Sequence, residues 1–150
     1  MKLPLRTYFS VLALIWLGYV AGISFLEAPL KFCAPGITLP LGLGIGRIVF
    51  AALNKLEWVF ALSMAVLLWL RIPSPRFRMF FVLLFILLII QTFWLLPQLD
   101  ARAEMIVQGN TPPPSSLHFL YIGLEATKLV FLLFLSLKNL QSTYNEQARY

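Results

Sequence analysis

The chain has 150 residues, of which 60% are hydrophobic, 15% aromatic and 12% charged, and its mean hydropathy is +0.84. Soluble domains carry about 25% charged residues, so half that share argues against a water-soluble domain and makes lipid the solvent. The net charge of +6 does not mark a nucleic-acid interface, because the basic residues form no stripe and sit instead at the ends of apolar runs, where topology signals lie.

The first apolar run, 7–27, is entered through Lys2 and Arg6. A cleavable signal peptide begins in the same way, and Val20-Ala21-Gly22 would serve as its small-residue cleavage site. A retained helix is expected, because apolar residues continue past that site to Leu26. Gly18 and Gly22 form a small-xxx-small pair that lets another helix approach. Pro29, Pro35 and Pro40 follow. Proline cannot continue a helix ladder, so this stretch reads as a loop or re-entrant segment. Cys33 stands alone, which rules out a disulfide framework, a redox pair and zinc-finger spacing.

The second helix is expected over 41–70, longer than the roughly 20 residues that cross a bilayer, so its first turns project or tilt. Arg71, Arg76 and Arg78 make a short basic turn with two prolines. The third helix, 77–98, is almost wholly apolar and is expected to stop at Pro97. A polar stretch with Asp100, Arg102 and Glu104 follows and closes in Gly109-Asn110-Thr111 and three prolines. Ser115 or Ser116 is placed to cap the fourth helix, 116–138, and 139–150 form a polar tail. The expected fold is therefore all-α: one domain, an integral membrane four-helix bundle with four transmembrane helices.

Lysine and arginine counts orient it. Lys2, Arg6, Arg71, Arg76, Arg78, Lys138 and Arg149 fall on one side, against Lys31, Arg47 and Arg102 on the other. The richer side is cytoplasmic, which puts both termini in the cytoplasm and the protein in a plasma membrane, with a bacterial inner membrane the expected location.

Ionisable side chains inside membrane helices are expensive, and so they are functional candidates by default. Counting about 20 residues outward from each basic anchor places Glu57, Gln91 and Glu125 in one layer. That layer lies on the order of 10 Å below the outer surface. Lys128 is one turn deeper, while Glu27, Asn54, Gln98 and His118 line the rim above. At helical periodicity His118 and Glu125 differ by only about 20° in direction, with Tyr121 and Lys128 in the same stripe. Arg47, Asn54 and Glu57 repeat this on the second helix, and Gln91, Trp94 and Gln98 on the third. Three polar stripes confined to the outer half read as the walls of one outward-open cavity, sealed by the apolar inner half.

Each residue also has a plain structural reading. Glu57 or Glu125 with Lys128 or Lys55 would form a buried ion pair that sets helix register. Gln91 and Gln98 would bridge helices, His118 would sit at the interface, Glu27 and Lys31 would be loop charges, and the tryptophans would pack or form the interfacial belt. The functional reading takes Glu57, Gln91, His118, Glu125, Lys128, Asn54 and Glu27 as a ligand site. Glu57, His118 and Glu125 are its candidates for a divalent metal, by analogy with inward-facing ligand sets in bundles. The usual Glu-x-x-His pair is missing, and His118 and Glu125 are about 10 Å apart along the axis. Protons, a polar lipid headgroup or a quinone-like molecule are the other occupants that such a layer admits. The function expected is a small-ligand or ion-binding, transport-accessory or interaction subunit. The alternatives are a membrane enzyme using Glu57, His118 and Glu125, and a structural helper without ligand. Gly18/Gly22 and Gly42/Gly46 favour a homo-oligomer or a membrane protein partner.

The segment GISFLEAPLKFCAPGITLPLGLGIGRIVFAALNKLEW carries an Ala-Pro and a Phe after the first helix and a Gly-containing stretch with a Phe at the second. Together with SSLHFLYIGLEATKLVFLL, it resembles small four-helix membrane proteins catalogued as a domain of unknown function. These are distantly similar to anthrone-oxygenase-like membrane proteins. The resemblance implies four membrane helices and a His-containing final helix, and implies nothing further about chemistry.

Overall fold

The computed structural model describes residues 5–70 and 75–147, and every regular element among them is helical. We number four long helices. Helix α1 covers 5–33, α2 Leu39–Leu70, α3 75–107 and α4 Leu117–Gln147. All four are long and apolar enough to cross a membrane. They pack in a ring, each against its chain neighbours, and α1 closes the ring on α4 through the most extensive contact of the bundle. The connections 34–38 and 108–116 share one end, here the two-loop end. Leu70 of α2 and the start of α3 lie at the opposite end; Lys2, Arg71 and Arg149 lie outside the described residues.

The exterior is suited to a lipid surrounding. Ile48, Trp69, Phe93 and Phe119 each expose more than 70% of their surface, an arrangement that water would penalise and hydrocarbon would not. The interior is divided. Toward the termini, Phe9, Ala13, Trp16, Ala61, Met64, Phe81, Leu84, Leu88, Leu132 and Leu135 form a continuous apolar core. Toward the two-loop end the buried positions turn polar.

The first and third helices run further than the prolines in them suggest. Helix α1 was expected to end near 27 and instead passes through Pro29 to Cys33; α3 was expected to stop at Pro97 and instead passes through it to Val107. The same device operates in both. A wide π turn, Ala21–Glu27 in α1 and Gln91–Leu95 in α3, precedes each proline. Its last bond reaches five residues back, from the Ala28 N–H to the Ile23 carbonyl and from the Leu96 N–H to the Gln91 carbonyl. The widened turn relieves the clash between the proline ring and the preceding turn, and proline itself has no N–H to satisfy. Helix α4 likewise continues beyond the expected end at 138 to Gln147, because residues 138–147 contain no proline or glycine to stop the ladder. At its start the Ser115 hydroxyl accepts the Leu117 N–H at 3.2 Å, the cap anticipated from the serine pair.

Gly42 and Gly46 serve the bundle's own packing. A Cβ on Gly42 would lie 2.2 Å from the Phe32 ring, and one on Gly46 would lie 3.2 Å from the Lys31 ammonium. The last turn of α1 is thus seated on the glycine face of α2. Gly18 and Gly22 meet nothing within 4 Å.

Candidate functional site

Where the apolar core ends, four helices deliver side chains to one buried network. Glu57 of α2 and Glu125 of α4 share the ammonium of Lys128, which contacts Oε1 of Glu57 directly and Oε1 of Glu125 at 2.9 Å. Lys128 and Glu125 are fully buried, and Glu57 is 2% exposed. Trp16 of α1 donates its indole N–H to Glu57 at 3.1 Å. Ser24 of α1 donates to Oε2 of Glu125 at 3.1 Å, and the Gln91 amide of α3 donates to Oε1 at 2.7 Å. Ser24 and Gln91 both lie inside the π turns. The two prolines therefore shape the turns that aim two donors at a single carboxylate.

Charge counting defines the electrostatics. Two carboxylates share one ammonium, so the ionised network carries one uncompensated negative charge in a medium that penalises it strongly. The Gln91 carbonyl oxygen, buried beside the same carboxylate, has no hydrogen-bond partner. Buried acceptors without donors are rare, and here one accompanies excess negative charge.

Above this floor a cavity of about 830 Å³ opens between the helices toward the two-loop end. Glu125, Ser24, Tyr121, Asn54 and Thr92 contribute its polar depth, and its walls are predominantly apolar and aromatic. Asn54 and Trp58 both donate to the Thr92 hydroxyl, each at 2.9 Å. The mouth is framed by ion pairs. Arg47 holds Asp100 in a bidentate pair, at 2.6 and 3.1 Å, and also contacts Glu104. Lys31 reaches Glu27 at 3.3 Å. From Arg47 to Glu57 the helix rises about 15 Å, which sets the depth of the site. A shallower hollow of about 470 Å³, between Tyr8, Leu12 and Ser63 among others, has no charged lining.

The sequence-derived set is thus divided in two. Glu57, Gln91, Glu125 and Lys128 meet in one network. Asn54 and His118 line the cavity above it, Glu27 is engaged with Lys31 at the rim, and Gln98 is exposed and off the cavity wall. Of the two lysines considered as register partners, Lys128 pairs and Lys55 lies exposed at the cavity wall. Glu57, His118 and Glu125 do not converge: no group of three His, Cys, Asp or Glu side chains among the described residues could hold a metal ion. An ammonium stands between the carboxylates where a divalent ion would have to sit. Ser24, Thr92 and the donor role of Trp16 were not anticipated. A visible signal existed for Ser24: it precedes Pro29 by five residues, much as Gln91 precedes Pro97 by six.

No protein-family model, no curated protein and no solved structure matches this chain.

Proposed function

We propose that this protein is a membrane-embedded binding subunit that holds a small amphiphile in the cavity over Glu125, in the outer half of a plasma membrane. The observation that carries the reading is the cavity itself. Its volume lies within the range of about 300–1,000 Å³ usual for ligand sites, its walls are mostly apolar, and a few convergent polar groups form its floor below a mouth framed by ion pairs. A wet ion path would be lined by polar groups throughout, whereas a greasy body with a polar head fits apolar walls over a polar floor. The lysine and arginine counts of the sequence, seven against three, support cytoplasmic termini and a cavity open to the exterior or periplasm. A bacterial inner membrane and a role as a transport-accessory or interaction subunit belong to the same proposal. So does kinship with the four-helix proteins that the two quoted segments resemble.

The membrane-enzyme alternative is less well supported. Glu57 does not line the cavity, and both carboxylates are already committed to Lys128.

The test is purification in nanodiscs of defined lipid, followed by extraction and mass spectrometry of retained small molecules. It is run beside Ala51→Trp, which places an indole at the cavity wall. A retained amphiphile that disappears in the variant is expected; equal retention in both would sink the cavity reading. Orientation is tested separately through Cys33, the chain's single cysteine, which is exposed near the two-loop end. It should react with a membrane-impermeant maleimide added to intact cells, and labelling only after lysis would reverse the topology.

A further inference from the structure

We propose that the head recognised at this cavity is an anion held by Lys55, so that the ligand is a long-chain amphiphile with a carboxylate or phosphate-ester head. The proposal rests on the cavity reading above and adds the chemistry of the head. It starts from a cation on the cavity wall that the chain leaves without an acid.

Three cations line the cavity, Lys31, Arg47 and Lys55, together with two acids, Asp100 and Glu125. Lys31 is answered by Glu27, and Arg47 by Asp100 with Glu104 beside it. Glu125 holds Lys128, Ser24 and Gln91. Lys55 is exposed and forms no ion pair or hydrogen bond among the described residues. With Glu27 and Glu104 counted, the mouth is balanced in sum but not in place. Two acids crowd Arg47, which lies eight residues and about 12 Å along α2 from Lys55, and none reaches Lys55.

Depth makes this omission expensive. Counting about 20 residues outward from Arg71 puts the outer edge of the membrane near Ala51, so the Lys55 backbone lies about 6 Å inside it. An ionised side chain at such a depth calls for a partner. The lysine stem is long enough to carry its ammonium toward the interface, where the head of an outer-leaflet amphiphile lies.

The neighbouring side chain supplies a second donor. Asn54 also lines the cavity. Its amide nitrogen has two N–H groups: one is given to the Thr92 hydroxyl at 2.9 Å, and the other has no partner among the described residues. An ammonium beside a spare amide donor suits an oxyanion, since hydrogen bonds to a charged acceptor are the strong ones. The Glu125 floor repels such a head, which therefore sits on the α2 side of the cavity. Leu43, Phe50 and Leu96 offer apolar wall to its chain.

The experiment is calorimetric titration of the full chain in phosphatidylcholine nanodiscs, against empty discs, with three probes sharing one tail: dodecyl sulfate, dodecanol and dodecyltrimethylammonium. The sulfate is expected to bind at least about tenfold more tightly than either other probe. Lys55→Gln changes an exposed position, so the fold should hold; it should weaken the sulfate about tenfold and leave dodecanol unchanged. Lys55→Arg should keep most of the sulfate affinity. Arg78→Gln, which removes an exposed cation at the opposite end, should not alter it. Ala51→Trp should abolish binding of every probe. Discs containing phosphatidylglycerol separate the two sources of such a head. A loss of sulfate affinity larger in wild type than in Lys55→Gln marks a membrane phospholipid as the occupant, and an equal loss marks a free single-chain anion. Equal affinity for the three probes, preference for the ammonium, or a Lys55→Gln protein that binds the sulfate like wild type, with loss in Ala51→Trp, would overturn the anionic head and leave the cavity standing. No saturable binding of any probe, or binding that survives Ala51→Trp, would overturn both.

Discussion

Removing the ammonium at the centre of the network is the sharpest test of how the bundle is held together. Lys128→Met keeps the length and apolar bulk of the side chain and deletes only its charge. In the wild type that charge touches Glu57 and stands 2.9 Å from Glu125, with all three groups essentially excluded from solvent. Breaking a buried pair by removing one partner costs about 3–5 kcal/mol, and here two carboxylates are left facing each other. Lys128→Met should therefore unfold about 3–5 kcal/mol more easily, measured by reversible denaturation in mild detergent or by the abundance of folded protein in the membrane. The triple variant Lys128→Met, Glu57→Gln, Glu125→Gln removes every charge and should recover at least half of that loss, since well-packed neutral replacements of buried ion pairs are often near-neutral. Glu57→Gln alone leaves one carboxylate on one ammonium and should be milder than Lys128→Met. A Lys128→Met protein within about 1 kcal/mol of wild type would refute the reasoning, because 1 kcal/mol is what an exposed pair is worth. A triple variant no better than the single would show that volume, not charge, is what Lys128 supplies.

Other consequences follow from particular contacts. Gly42→Ala puts a methyl 2.2 Å from the Phe32 ring and should cost about 1–3 kcal/mol while swinging that ring off the cavity wall. Gly44→Ala meets nothing within 4 Å and should gain up to about 1 kcal/mol in helix propensity; the two melting temperatures should move in opposite directions. Pro97→Ala restores a backbone N–H, so α3 is expected to tighten toward regular α-helix and to draw Gln91 away from Glu125. Exchange protection of the amides at 91–97 would report the change, and an unaltered pattern would show that the proline is not what holds the π turn. Arg47→Ala breaks partly exposed ion pairs at the mouth and should leave thermal stability within about 1 kcal/mol of wild type. A large destabilisation would mean that the mouth pairs hold α2 and α3 together.

Four membrane helices were legible in the sequence because hydropathy is a local quantity: a run of about 20 apolar residues must satisfy its backbone internally and can do so only as a helix. The shared depth of Glu57, Gln91 and Glu125 was legible for the same reason, since helix rise converts residue counts from the basic anchors into height in the bilayer. Helical phase also placed Tyr121, Glu125 and Lys128 on one face of α4, toward the others. What the sequence could not decide is which of two lysines would enter the network, Lys55 just above the Glu57 layer or Lys128 one turn below Glu125. Which of them faces inward depends on the rotation of each helix about its own axis, and that rotation is set by packing against neighbours, in this bundle chiefly α1 on α4. The ends of α1 and α3 were hidden as well. A proline read locally stops a helix, but a π turn placed before it lets the ladder continue, and whether such a turn is worth its poorer geometry depends on the partners it gains. Here the partner is Glu125, reached by Ser24 from one wide turn and by Gln91 from the other. The cavity is likewise a property of the assembled bundle: its floor consists of side chains that no single helix could bring together.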